Sequence, residues 1–385
     1  MIYADYASTT PLDPEVLKRM EPYFSGYFGN GSSVHTFGRE AAAAVERARS
    51  QIAQVLGAEK NEIYFTSGGT ESDNWAIWGT AQKNKQKGRH IITSQIEHPA
   101  VLNTCKALEE DGFSVTYLPV DIFGRVHVEQ VEKAITPQTI LISVMAANNE
   151  IGTLQPIAEI GALAAEYGIP FHTDAVQAAG SMAIAVKTQA ITMLSLSAHK
   201  FFGPKGAGAL YIREGHAIQN LMQGGAQERD RRPGTLNVPG IVGMGYALEK
   251  QYAEREKRGA AALSAAEHIK RQVLRGLEDV FLNGHPEERL PGNLNFSFRG
   301  VQAESLLLLL DLCGIACSAG AACSAGAVKA SHVLMALKKD EAYAKSALRI
   351  TVSHQTTIQE AEQIGKAIVE NVKKIRGLSL KKKSC

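Results

Sequence analysis

Residues 63–79 read IYFTSGGTESDNWAIWG, and the reading of this stretch decides the fold. Four residues of strand-forming type run into a Ser-Gly-Gly-Thr turn, and a helical pattern follows over Glu71–Lys83. Strand, tight turn and helix in succession form the building unit of α/β proteins. The alternation continues to about residue 215. Strand-like runs fall at Ile63–Thr66, His90–Ser94, Ser114–Pro119, Ile140–Met145, Pro170–Thr173, Met193–Ser197 and Gly208–Ile212, with helical patterns at His98–Glu110 and Pro156–Tyr167 between them. Several of the runs are apolar throughout, as expected of strands covered on both faces. The pattern predicts an α/β fold with a largely parallel sheet, and ligands gathered at the carboxyl ends of its strands.

A long helix-rich stretch, Val242–Leu277, leads out of this region. After Pro291 come a strand-like NLNFSF at 293–298, a leucine-rich helix, a second strand at Ala347–Val352 and a last helix at Ile358–Ile375. This predicts a large domain over residues 13–260 and a smaller α+β domain built from residues 1–12 and 261–385.

The bulk numbers fit an ordinary globular protein. The 385 residues are 45% hydrophobic and 21% charged, enough for a large core and no signature of disorder. Lys and Arg total 41 against 39 Asp and Glu, a net charge of +2, which argues against a nucleic-acid footprint. The one basic run, Lys381-Lys382-Lys383, reads as a solvated tail. The cysteines at 105, 313, 317, 323 and 385 suggest no disulfide framework. Their C-x3-C-x5-C spacing from 313 to 323 matches no common zinc pattern, so no metal is expected. The N-terminus lacks the basic start and apolar stretch of a signal peptide. No run approaches the roughly 20 apolar residues that span a bilayer. A cytoplasmic protein without a membrane partner is expected.

Four motifs carry chemistry. In LSLSAHKFFGPKGAGALYI (194–212), Lys200 ends a buried strand and precedes Gly/Pro punctuation. An amine so placed is poorly solvated, a candidate for a lowered pKa and for Schiff-base formation, although a lone lysine there would more simply snorkel. In PFHTDAVQAAG (170–180) an apolar strand delivers Asp174 at its carboxyl end, either as a helix cap or as a partner for a cationic ring nitrogen, with Gln177 three residues on. The Ser-Gly-Gly-Thr turn opens a helix whose N–H groups make an anion site, with the Thr70 hydroxyl adding a donor. In ITSQIEHPAV (92–101), His98 lies just past another strand, where an imidazole either caps a helix or stacks on a flat ring and moves protons. Amine, carboxylate, phosphate cradle and ring cover are the four things pyridoxal phosphate needs, and here they sit at the ends of separate strands.

At this level of detail the sequence resembles the cysteine desulfurases that serve nitrogen fixation and iron–sulfur cluster assembly, within the fold-type-I pyridoxal-phosphate enzymes. The resemblance rests on SAHKFFGPKG, HTDAVQ, SGGTESDN, EHPAV, NNEIG and RRPGTLNVPGIVGMG, and runs from ADYASTTP near the N-terminus to ALRITVSHQTT ending at residue 357. It implies that Lys200 is the Schiff-base lysine, that Asp174 pairs with the pyridine nitrogen, that Gln177 meets the phenolic oxygen and that His98 covers the ring. Gly69, Thr70, Ser197 and His199 would serve the phosphate, and Thr235 the phosphate of a neighbouring subunit's cofactor, so that the enzyme is a homodimer. Asn149 would lie beside ring and substrate, and Arg349 would take the substrate carboxylate bidentately.

The resemblance also explains CGIACSAGAACSAGAVKASHVL (313–334), where every residue from Cys317 to Ala327 is Cys, Ser, Ala or Gly. Such a run has little bulk to hold it still, which suits a carrier that visits both pocket and surface. Composition does not say which cysteine is used. The family places its nucleophile eight residues before the Ser of Ser-His-Val-Leu, and Ser331 puts that residue at Cys323, on a loop at about 317–330. A Cys323 thiolate would then take sulfur from L-cysteine, release L-alanine and pass the persulfide to an acceptor protein for cluster assembly or thiolation. Cys317 stands where relatives carry an aliphatic residue, either as buried filler or as a secondary resting place for sulfur.

The chain departs from the family pattern in places: AGAAC where Ser-Gly-Ser-Ala-Cys is commoner, Lys329-Ala330 for Glu-Pro, and Ser353-His354 for Gly-Arg. Two readings compete on the same fold, a selenocysteine lyase and a transaminase-like enzyme. A third is a non-catalytic sulfur-relay scaffold, against which the intact Lys200, Asp174 and His98 set argues.

Overall fold

The computed structural model describes residues 1–319, 330–337 and 340–383. Its strands, in chain order, are β1 Ile2–Tyr3, β2 Ile63–Thr66, β3 His90–Ser94, β4 Ser114–Leu118, β5 Thr139–Ser143, β6 Phe171–Asp174, β7 Met193–Ser197, β8 Gly208–Ile212, β9 Val280–Leu282, β10 Asn293–Phe298, β11 Ile315–Ala316 and β12 Ala347–Thr351. Seven of them form the central sheet in the order β2-β8-β7-β6-β5-β3-β4. β8 pairs antiparallel with both of its neighbours, and the remaining pairs run parallel. The seven strands are those the apolar runs mark: four coincide end to end, and β4, β5 and β6 differ by one or two residues at their ends. β2, β3, β5, β6, β7 and β8 are buried along their whole length, the mark of a sheet covered on both faces.

Crossover helices follow the parallel strands. Gly69–Asn84 follows β2, Pro99–Glu110 follows β3 and Ile157–Glu166 follows β5. The helix-rich stretch after residue 237 is two helices, Val238–Ala253 and Arg255–Gly276. A helix that the sequence reading does not mark, Thr36–Leu56, packs its Ala41, Ala44, Val45, Ala48 and Ile52 into the same core. Its buried positions Ala41, Ala44, Val45, Ala48, Ile52 and Leu56 recur at helical spacing, a signal present in the sequence.

A second sheet, β12-β10-β9, is antiparallel, and β1 pairs parallel with β11. A separate apolar cluster gathers Ala4 with Ile269, Val273, Leu294, Phe296, Leu306, Leu348, Ile350, Ile364, Ile368 and Val372. The N-terminus therefore belongs with the C-terminal third of the chain. Ala4 O accepts from Thr351 N at 2.8 Å and Ala7 N donates to Thr351 Oγ1 at 2.8 Å, which lays residues 4–8 along β12. Among the described residues no helix is long and apolar enough to cross a membrane.

Candidate active site

One cavity lies at the carboxyl ends of β2, β3, β5, β6 and β7. Its walls include Gly69, Thr70, His98, Asn149, Asp174, Gln177, Ser197, His199, Lys200 and Arg349, together with Ala7, Ser8, Asp73, Met145, Val176 and Ser318. Ten residues singled out in the sequence thus meet in one place. Thr235 does not; it is exposed and lines no part of the cavity. Cys323 lies outside the described residues.

Lys200 closes a single 3-10 turn, Ala198–Lys200, directly after β7. The chain then turns through Phe202, whose φ of 63° is left-handed and sterically costly for an aromatic residue. Two bonds hold it there: Phe202 N donates to Thr10 Oγ1 at 2.8 Å, and Phe202 O accepts from Asp13 N at 3.0 Å. The turn aims the Lys200 amine at the N-terminal segment, where Nζ donates to Ala7 O at 2.6 Å and Ser8 O at 2.9 Å. Burial, with the Arg349 charge added, brings this amine down to about 8, against the opposing pull of Asp174 and Asp5.

Asp174 is the last residue of β6 and is buried; its Oδ1 accepts from Val176 N at 2.9 Å. Burial raises its pKa, partly offset by that bond and by His98 and Lys200. A carboxyl in this position favours a cationic partner. His98 is the N-cap of Pro99–Glu110, with Nδ1 accepting from Ala100 N at 3.1 Å. The cap therefore fixes the neutral tautomer with its proton on Nε2, and burial lowers the pKa further. Capping and a role at the cavity are not exclusive here, because the cap uses only one ring nitrogen. Gln177 Nε2 donates to Ala7 O at 2.9 Å. His199 Nδ1 bonds Thr9 Oγ1 at 3.1 Å, and burial takes its pKa to about 4.

Gly69 is the first residue of its helix, and Gly68 at the cap brings no side chain to the first-turn N–H groups. Close packing excludes a side chain at Gly69 and at Gly208. A Cβ on Gly69 would meet Val176 Cγ2 at 2.6 Å, and one on Gly208 would meet the Gly68 backbone at 2.5 Å. An uncapped helix N-terminus beside the Ser197 strand end is an anion cradle.

The opposite wall comes from the chain ends. Arg349 on β12 is buried; Nη1 donates to Asn149 O at 3.1 Å, and Nη2 to Asp5 Oδ1 at 2.8 Å and Ser8 Oγ at 2.6 Å. Arg349 N also donates to Ser318 O at 2.7 Å, so the chain entering the Cys/Ala/Gly run starts at the cavity. Where it returns, Ser331 Oγ donates to Glu150 Oε2 at 2.5 Å and His332 Nε2 bonds Glu97 O at 3.0 Å, one residue from Asn149 and His98 respectively.

Sequence reasoning assigns nothing to Asp5, Ser8 or Asp73. Asp73 sits one turn into the Gly69 helix, is 1% exposed and leaves Oδ1 without a hydrogen-bond partner among the described residues, 3.7 Å from His172 Nε2. Burial and the neighbouring Asp174 raise its pKa well above the carboxylate range. Beneath the pair lies His172, held neutral by burial, with Nδ1 bonded to Ser143 Oγ at 2.9 Å and Nε2 to Ser195 Oγ at 3.0 Å.

Comparison with known proteins identifies the family. The class-V aminotransferase family matches residues 2–364. A cysteine desulfurase IscS of Methanosarcina thermophila is 50% identical over 378 residues, covering 98% of this chain and 93% of the relative. A solved NifS-like protein superposes with a TM-score of 0.91 at 37% identity, over 97% of this chain and 99% of that one. A second structure, SspA in complex with cysteine, gives a TM-score of 0.82 at 40% identity, over 91% and 99%. The chain thus belongs to the class-V aminotransferase family, as a cysteine desulfurase.

Proposed function

We propose that this cavity is where the chain converts L-cysteine to L-alanine, with pyridoxal phosphate as cofactor and Cys323 as sulfur acceptor. The observation that carries the reading is the convergence of Lys200, Asp174, His98 and Arg349 on one cavity beside an uncapped helix N-terminus. The donor set fits the cofactor. Lys200 Nζ would hold it, Asp174 would face its ring nitrogen, Gln177 its phenolic oxygen and His98 its ring face. Gly69, Thr70, Ser197 and His199 would take its phosphate. Bound there, pyridoxal phosphate supplies an electron sink for the substrate α-carbon.

The protein's own residues do the rest. Arg349, with Asn149 beside it, receives the α-carboxylate. Lys200 Nζ, whose pKa is lowered to about 8, takes the α-proton in its neutral form, about a tenth of the amine at pH 7. His98 handles the thiol proton; to accept it, Nδ1 must first release the Ala100 N–H. Cys323 receives the substrate sulfur: the Cβ–S bond breaks, an S–S bond forms, Cβ gains a proton and Lys200 returns the α-proton to Cα, giving L-alanine. The persulfide then passes to an acceptor protein.

The same reading covers the assembly. Residues 13–260 form the large domain, and residues 1–12 with 261–385 the small one, meeting at the cavity between Lys200 and Arg349. Phe24, Phe28, Val34 and Phe37 are 62%, 67%, 88% and 50% exposed, an apolar surface that suits burial in a homodimer, and the exposed Thr235 is free to reach a partner's phosphate site. The test is to incubate purified protein with L-cysteine, quantify alanine and locate the persulfide by mass spectrometry. Cys323→Ala is expected to keep the yellow cofactor and lose sulfur transfer. Full transfer by that variant refutes the assignment of the nucleophile.

A further inference from the structure

A guanidinium has five N–H donors, two on each Nη and one on Nε. At Arg349, Nη2 donates to both Asp5 Oδ1 and Ser8 Oγ, which commits both of its hydrogens. Nη1 donates one to Asn149 O, and Nε is buried without a partner among the described residues. A carboxylate can approach the fork bidentately along only two edges, Nη1 with Nη2 or Nε with Nη2. Both edges need Nη2. Arg349 as it stands therefore cannot take a carboxylate by two bonds until Nη2 releases an acceptor.

The two occupants differ in what their release costs. Freeing Asp5 would break an ion pair whose arginine side chain is 5% exposed and leave a carboxylate facing the incoming one. Freeing Ser8 breaks a bond to a neutral hydroxyl on an exposed residue of the cavity wall, and water or the substrate itself can satisfy that hydroxyl. Ser8 is also tied to the other cation of the site, since its carbonyl accepts from Lys200 Nζ.

We propose that Ser8 is an exchangeable cover on Arg349: the substrate α-carboxylate displaces Ser8 Oγ from Nη2, while Asp5 stays and fixes the guanidinium plane. Ser8 and Asp5 are positioning residues for the substrate. The inference rests on the assignment of Arg349 to the α-carboxylate. An amino acid with a free carboxylate must open the cover to bind, whereas its amide, with a single carbonyl oxygen, binds without disturbing it.

The experiment compares L-alanine with L-alaninamide on purified holoenzyme, by inhibition of L-cysteine turnover and by titration of the cofactor absorbance. Ser8→Ala is expected to tighten L-alanine about threefold, the scale of one net hydrogen bond, and to leave L-alaninamide unchanged. Asp5→Asn is expected to weaken L-alanine about tenfold. Unchanged or weaker L-alanine binding in Ser8→Ala overturns the proposal, as does tighter binding in Asp5→Asn, which would make Asp5 the displaced group. Arg349→Gln separates the underlying assignment: if it leaves the preference for L-alanine over L-alaninamide intact, Arg349 is not the carboxylate site, whatever Ser8→Ala does.

Discussion

Lys200 and Arg349 face the same cavity from opposite walls and are held in opposite ways. Lys200 stands at a strand end of the central sheet, and among the described residues its amine donates to two neutral carbonyls, Ala7 O and Ser8 O. Arg349 stands on the small sheet and meets a carboxylate, Asp5. A carbonyl dipole orients an ammonium without offsetting the loss of its hydration, so the Lys200 pKa falls to about 8. A carboxylate compensates a guanidinium, so Arg349 stays buried as a cation. One wall thus presents an amine ready to lose its proton, and the other a fixed charge ready to bind an anion. Both depend on residues 5–8, which touch each.

The contrast breaks most visibly at Lys200. Lys200→Ala removes the amine proposed both to hold the cofactor and to act as base, and is expected to lower turnover by at least about a thousandfold, with loss of the cofactor band in the absorbance spectrum. The Arg349 wall is tested through its counter-ion. Asp5→Asn leaves a buried guanidinium without compensation. The partial exposure of Asp5, 19% for its side chain, moderates the loss, and about 2 kcal/mol of stability is expected to disappear in urea titrations.

The two walls also differ in how far they can be read from sequence. Strand ends announce themselves: an apolar run stops and gives way to Ser-Gly-Gly-Thr, Glu-His-Pro, Asp-Ala-Val-Gln or Ser-Ala-His-Lys. Because parallel strands point the same way, those four local signals converge on one edge of the sheet. Nothing comparable marks the other wall. Asp5 and Ser8 meet Arg349 across more than 340 positions of chain, through a strand of two residues and a bridge to β12, and neither has a local pattern. ADYASTTP contributes to the family resemblance, but resemblance alone does not say that its serine hydroxyl occupies a guanidinium. Asp73 is hidden for a different reason. On a helix pattern it reads as one more polar residue of an exposed first turn, and only the fold buries it beside Asp174.

A pH experiment sharpens the comparison. An amine with a pKa near 8 is largely protonated at pH 6 and gains nucleophile about tenfold per pH unit until it approaches 8, then levels off. Reloading pyridoxal phosphate into cofactor-stripped protein requires the neutral amine. Its rate, followed by absorbance, is expected to rise about tenfold from pH 6 to pH 7 and to flatten above pH 8. A lysine at its ordinary 10.5 would keep climbing past pH 9, and that result would remove the distinction between the two walls.

The smallest effect is expected at Cys317, next to the Ser318 that closes the cavity beside Arg349. Its side chain packs against the small-sheet core and is half-buried, and burial, with Asp5 and Asp311 adding to it, pushes its thiol up to about 12. Near pH 7.5 such a thiol is almost entirely protonated, against about one thiolate in ten for an ordinary cysteine near 8.5. A thiol so rarely ionised is a poor stop for sulfur, and its contacts are those of a small apolar residue. Cys317→Ala is therefore expected to leave alanine formation and persulfide transfer within about twofold of the unmodified chain, while costing about 1 kcal/mol of stability for the lost packing. Persulfide found at position 317 by mass spectrometry, or a large fall in transfer without a fall in stability, would show that the chain ends supply a sulfur site as well as an anion site.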